Sequence, residues 1–422
     1  MSLIYNIGIR AYECGIAIAS LWDSKARRWR EGRRGLLEQM AERITRGEPI
    51  IWIHAASLGE FEQGRPIIER IKALRPDIRI LLTFFSPSGY EIRKDFPGAD
   101  YIFYLPSDRP ENVRRFLDIV RPEAAIFIKY EFWLNYLGEL RQRDIATYLV
   151  SAIFRPRSIF FRPWGGAWRE ALRGFRTLYV QDESSKTLLE DIGLRNITVA
   201  GDTRFDRVRE IARQAKRIPI VERFKGTDDL FVAGSTWGED ERLLIDLANS
   251  NPTTRFIIAP HEMDDRRIER IIASIRGGCV RYTQVAPESD IRSAQVMILD
   301  TIGLLSSLYG YARWAYIGGG FGRGIHNTLE AATFGLPLAF GPNYQKFREA
   351  REMVARGIAT PVRSSCELEA WFTRLNNDGA LHSKLADAAR QYTSSNCGAT
   401  ELVTEAVIKQ LDQRTASAQT HH

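Results

Sequence analysis

The chain has 422 residues, more than one hydrophobic core usually supports, so two domains of about 150 to 200 residues each are expected. A hydrophobic share of 44% beside 26% charged residues excludes long disordered tracts and leaves enough apolar side chains for real cores. The formal charge of +7 favours anionic partners, but no basic stripe is interleaved with aromatics, so no nucleic-acid partner is expected; four scattered cysteines (Cys14, Cys279, Cys366, Cys397) exclude a disulfide framework and point to a reducing cytoplasm.

Residues 3–22 are largely apolar yet include Asn6, Arg10 and Glu13. Charges at the centre of a spanning helix cost a few kcal/mol each, which favours a helix lying in the membrane interface over one that crosses it. An amphipathic helix packed into the core is the alternative. Residues 25–34 follow with six basic side chains against Glu31, read either as a solvated helix face or as a contact with anionic inner-membrane lipids.

Short apolar runs then alternate with helical patterns, the signature of parallel sheets with crossover helices. Strands are predicted at 50–55, 78–83, 101–105, 124–128, 146–151, 177–181 and 197–200, and in a second series at 230–234, 255–260, 294–299, 312–317 and 336–340. The charged stretch 204–227, broken by Pro219 and Gly226, is the expected connector. These patterns divide the chain into an N-terminal helix and basic strip (1–35), two doubly wound domains (36–215 and 216–395) and a C-terminal helix with a tail expected to be disordered (396–422). In such α/β domains ligands sit beyond the carboxyl ends of the strands.

After the first strand comes Ser57-Leu58-Gly59-Glu60, which has capping-box spacing. A proline inside a helix costs roughly 3 kcal/mol, so Pro66 predicts a later helix start, near Gly64 or Arg65. Glu60 would then stand in an open loop, where a carboxylate can take a proton from an incoming hydroxyl. In the second series, 312–317 runs into Gly318-Gly319-Gly320-Phe321-Gly322-Arg323-Gly324-Ile325-His326-Asn327. Arg323 stands where a dinucleotide fingerprint needs glycine. Five glycines in seven residues imply close backbone approach to a ligand, and a helix starting near Asn327 would offer N–H groups to phosphate; Asn327 and Glu330 also have capping-box spacing. No Asp-x-Asp or histidine cluster accompanies the loop, so no metal and no cofactor are expected.

At these residues the chain resembles the 3-deoxy-D-manno-octulosonic acid (Kdo) transferases of lipopolysaccharide assembly. The segments that carry the likeness are 54–60, Tyr104-Leu105-Pro106 with Asp108, Glu131-Phe132-Trp133 with Asn135, Gly234-Ser235-Thr236, Ile258-Ala259-Pro260 and 324–330, followed by Phe340-Gly341-Pro342. The resemblance implies a GT-B fold, two Rossmann-like domains facing across a cleft, and inverting transfer of Kdo from CMP-Kdo in the second domain to a lipid A precursor in the first, at the cytoplasmic face of the bacterial inner membrane. It implies Glu60 as catalytic base, with Ser57 and Gly59 beside it on the acceptor side, and Ser235, Thr236, Pro260, His261, Gly324, Asn327 and Glu330 around the donor; an anionic acceptor would make Arg155 and Arg157 phosphate and membrane contacts, a solvated loop being the alternative reading of those two. Two positions depart from the family pattern: His261 follows Pro260 where an arginine is common, and Lys129 stands where a glutamate is common. Another nucleotide-sugar transferase or a sugar epimerase of the same architecture, or a non-catalytic lipid-binding protein, remain alternatives at this stage.

Overall fold

The computed structural model describes residues 3–286 and 289–420. Its chain divides into two compact units, Met1–Arg207 together with Cys397–His422, and Val208–Asn396. Each contains a seven-stranded, all-parallel sheet.

In the first unit the strands are β1 (Ile50–Ala55), β2 (Arg79–Phe84), β3 (Tyr101–Tyr104), β4 (Ala124–Ile128), β5 (Ala146–Ala152), β6 (Thr177–Val180) and β7 (Ile197–Val199), ordered β3-β2-β1-β4-β5-β6-β7. Every residue of β1, β4 and β5 is buried, as expected of a parallel sheet covered on both faces. Period two sorts β1 onto those faces: Ile51, Ile53 and Ala55 join one apolar cluster, Ile50 and Trp52 the other. The second unit has β8 (Leu230–Thr236), β9 (Arg255–Pro260), β10 (Cys279–Arg281), β11 (Val296–Ile298), β12 (Trp314–Ile317), β13 (Leu338–Phe340) and β14 (Ala359–Pro361), ordered β10-β11-β9-β8-β12-β13-β14. Strands β10 and β14 were not anticipated. Both are three-residue edges with partly exposed side chains, too short for a periodic signal. Strand order reverses between β1 and β4 in one sheet and between β8 and β12 in the other, and those two switch points are where such sheets hold ligands.

Three expectations need correction. The helix after β1 begins at Leu58, not near Gly64, and runs to Leu74 with Pro66 inside. Pro66 is buried, and the Thr203 hydroxyl donates to the Gln63 carbonyl at 2.6 Å, occupying an acceptor in the turn that the proline loosens. Burial of Phe61, Ile67, Ile68 and Ile71 on the sheet outweighs what the proline costs. The C-terminal segment is helical from Ala399 to Thr420 rather than ending at a disordered tail; only 421–422 fall outside the described residues. Asp206 caps its start, accepting from Gly398 and Thr400 N–H groups at 2.7 Å each, and Val403, Val407 and Leu411 complete the core under the Leu58–Leu74 helix. The unit boundary lies at Arg207, inside the helix Thr203–Arg213, ahead of the expected 215.

The N-terminal helix, Leu3–Ala19, has no buried residue. Its polar side chains are the ones that face the protein. Tyr5 donates to Asp108 (2.6 Å), Asn6 accepts from Asn135 (2.9 Å) and Glu13 pairs with Arg109. Leu3, Ile4, Ile7 and Ile18, with Leu21 and Trp22 just beyond, point outward at 58–81% exposure. No helix among the described residues is long and apolar enough to cross a membrane. The basic strip is not one solvated face either. Arg33 is half-buried against the Trp29 ring at 3.8 Å and donates to the Leu105 and Phe85 carbonyls, while Arg27, Arg30 and Arg34 line a shallow cavity of about 300 Å³ with Ser20, Leu21 and Glu31.

Candidate active site

The early helix start changes how Glu60 is held. It sits in the first turn, half-buried, and its Oε2 accepts the Ser57 backbone N–H at 3.0 Å, so the capping-box reading holds for that bond. The carboxylate is therefore fixed at the mouth of β1 rather than carried on an open loop. Its pKa is raised, first by burial and then by the charge of Glu131; His54, Lys129 and the Ser57 N–H pull the other way. A carboxylate made more basic in this manner is a better proton acceptor. Ser57 is half-buried beside it, and Gly59 is exposed with open space where a Cβ would stand.

Glu131, just past β4, was quoted above only as part of a motif and not as a site residue. It is buried, accepts the Trp133 indole N–H at 2.6 Å and meets His54 Nε2 at 3.1 Å. Both His54 ring nitrogens are held: Nδ1 lies 2.9 Å from Thr83 Oγ1, which also accepts the Trp52 indole N–H (2.8 Å), and 3.1 Å from the Thr83 carbonyl, and Nε2 meets the Glu131 carboxylate. Lys129 and Ser151, at the ends of β4 and β5, have φ of 71° and 56°, the left-handed region that non-glycine residues avoid and that recurs at functional sites. The position of Glu131 at the switch point was the available signal. Arg155 and Arg157 are exposed in the loop after β5; the charge of Arg155 reaches the Tyr130 phenol, which also feels Glu60, so Arg155 shares the Glu60 mouth.

In the second unit Ser235 (φ 55°) ends β8 beside buried Thr236, whose hydroxyl donates to Glu241 at 3.1 Å. Pro260 ends β9, buried, and His261 N–H donates back to the Thr236 carbonyl at 3.0 Å. The His261 ring stacks against those of both Trp237 and His326, with centroids 4.8 and 4.4 Å apart and both pairs inclined by 29°. Trp237 is absent from the sequence-derived site; its place one residue beyond Thr236 was the signal.

The glycine loop is corrected in its reason. A Cβ on Gly318 would lie 2.2 Å from the Ser235 carbonyl oxygen, and one on Gly320 2.5 Å from Gly341 N. Gly324 (φ 136°) is packed against Lys346 and Phe347. These glycines let the loop lie against the ends of β8 and β13; protein, not ligand, makes the close approach. The helix beyond does begin near Asn327, but it is only Leu329–Thr333, with Thr328 as its N-cap, so it brings little macrodipole to a phosphate. Asn327 Nδ2 donates to Glu330 Oε1 at 2.8 Å, and Asn327 Oδ1 accepts from Leu329 N. Glu330 is close enough to raise the Tyr309 phenol pKa. Among the described residues no group of three or more His, Cys, Asp or Glu could hold a metal ion.

Two Rossmann-like units, each with functional side chains at its switch point, define a glycosyltransferase-type GT-B architecture. The fold is shared with MurG of Acinetobacter baumannii (TM-score 0.55, 13% identity, 86% of this chain and 99% of that one) and with UDP-GlcNAc 2-epimerase of Neisseria meningitidis (TM-score 0.60, 16% identity, 86% and 100%). Residues 19–207, inside the first unit, match the family described as 3-deoxy-D-manno-octulosonic-acid transferase. The Kdo transferase of Bordetella pertussis is 27% identical over 375 residues (85% of this chain, 86% of that protein), and that of Aquifex aeolicus 28% over 335 residues (77% and 85%). Over most of its length the chain resembles the Kdo transferases of lipopolysaccharide biosynthesis, and it is a glycosyltransferase.

Proposed function

We propose that this enzyme transfers Kdo from CMP-Kdo to a lipid A precursor with inversion, without a metal ion, at the cytoplasmic face of the inner membrane. The acceptor hydroxyl attacks the anomeric carbon, its proton passes to the Glu60 carboxylate, and the bond to the CMP phosphate breaks as the new glycosidic bond forms. The observation that carries this reading is the fixed, half-buried Glu60, whose pKa burial and Glu131 both raise. Ser57, Gly59, Arg155 and Arg157 are assigned to the anionic acceptor; Ser235, Thr236, Pro260, His261, Gly324, Asn327 and Glu330 are assigned to the donor. The outward apolar face of the Leu3–Ala19 helix and the cavity of Arg27, Arg30 and Arg34 beside it support attachment to an anionic lipid surface.

Mass spectrometry of the product from CMP-Kdo and a lipid A precursor, with the anomeric configuration read by NMR, tests the proposal. A mass gain of one or more Kdo units with inverted configuration is expected. Transfer from UDP-sugars alone, or retention of configuration, overturns it.

A further inference from the structure

The second unit contains a ring shelf whose protonation the geometry dictates. The Trp237 indole N–H lies 3.1 Å from His326 Nε2. Indole nitrogen only donates, so Nε2 must carry its lone pair, and the ring proton of neutral histidine is left on Nδ1. The indole is itself held. Its backbone N–H donates to Asp240 (2.8 Å), the Arg267 guanidinium lies 5.6 Å from its ring centre, and His261 stacks against it. On the opposite side His326 meets Gly319 (φ 90°), where a Cβ would come within 3.0 Å of its Cδ2. His326 Nδ1 finds no partner among the described residues, although the ring is half-buried at the β8–β12 switch point.

We propose that Trp237 is a positioning residue that locks His326 as the neutral Nδ1–H tautomer, so that His326 presents one fixed hydrogen-bond donor to an anionic oxygen, phosphate or carboxylate, of the nucleotide-activated sugar acid. This rests on the donor assignment made above. The buried carboxylates near the shelf already have donors. Asp240 is occupied by the N–H groups of Trp237 and Gly319 and by the Tyr316 hydroxyl; Glu241 is occupied by Arg267 and Thr236. Glu262, next to His261, and Arg323, in the glycine loop, are both exposed. A second proton on His326 would set two N–H groups against each other, and burial and His261 already lower its pKa. The opposed indole N–H and the lowered pKa both favour the neutral donor.

Nitrogen-15 NMR of the histidine rings in the full chain reads the tautomer directly and without ligand. His326 protonated at Nδ1 from pH 5.5 to 8 is expected, and Nε2–H in the wild type overturns the lock. Trp237→Phe keeps a stacking ring and removes the N–H. The ratio of its CMP dissociation constant to that of the wild type cancels titration of the phosphate and of His261. It should be about fivefold at pH 8, the loss of one hydrogen bond, and fall toward one as the pH is lowered and the variant's His326, freed of the opposing indole N–H, gains a second proton. A ratio constant with pH overturns the proposal. His326→Ala weakening CMP but not cytidine assigns the phosphate; weakening CMP-Kdo but not CMP assigns the sugar carboxylate; weakening none overturns the contact. Binding of uridine but not cytidine nucleotides would remove the donor reading while leaving the tautomer result standing.

Discussion

Burial acts on both switch points and has opposite chemical consequences. At the end of β1 it raises the pKa of Glu60, and Glu131 raises it further. At the end of β12 it lowers the pKa of His326, and His261 lowers it further. Desolvation favours the neutral form in each case, so the carboxylate becomes a stronger proton acceptor and the imidazole a weaker one. The difference teaches where proton transfer belongs on the proposed mechanism, which has the first unit take a proton and the second bind with neutral donors. Around Glu60 the neighbours are charged or ionisable groups with directed bonds; around His326 they are rings and backbone.

The hardest way to break that contrast is Glu60→Gln. The amide oxygen still accepts the Ser57 N–H, so folding should be preserved, while the proton acceptor is gone. We expect kcat to fall by about 10²–10⁴ with little change in CMP affinity, measured by transfer assay and by calorimetry. Loss of binding without loss of turnover would reverse the assignment of the two units.

The two switch points were legible in the sequence because they follow largely apolar runs: β1, β4, β8 and β9 announce themselves, and with them the places of Glu60, Ser235 and Pro260. Edge strands β10 and β14 carry too few residues for periodicity. The start of the Leu58–Leu74 helix was misread because a local rule about Pro66 ignored the tertiary gain from burying Phe61 through Ile71. Glu131, His54 and the Trp237–His261–His326 shelf could not be read as units, since His54 and Glu131 are 77 residues apart in the chain and Trp237 and His326 are 89 apart, and only the sheet order brings them together.

The glycine loop offers a second, smaller test, because packing and ligand approach predict different patterns. If Gly320 is glycine to let the loop touch Gly341, then Gly320→Ala pushes backbone against backbone and should cost about 1–3 kcal/mol of stability in denaturant unfolding. Gly322 has nothing nearer than the Gly319 carbonyl at 3.8 Å to where its Cβ would stand. Gly322→Ala should therefore stay within about 0.5 kcal/mol. Equal stability of the two variants, with donor binding lost in both, would restore the ligand explanation for these glycines.

The finest test concerns the charge that tunes Glu60. Glu131→Gln keeps an acceptor for the Trp133 indole and a partner for His54 Nε2 but deletes the negative charge that helps hold the Glu60 pKa up. Glu60 must be deprotonated to act, so the acid limb of kcat/KM follows its pKa in the free enzyme. Removing the charge lowers that pKa and moves the limb to lower pH, while the plateau falls modestly because the weaker base pulls less on the hydroxyl proton. A limb that moves upward, or a plateau lost entirely at unchanged limb position, would mean that Glu131 contacts the substrate itself rather than acting through Glu60.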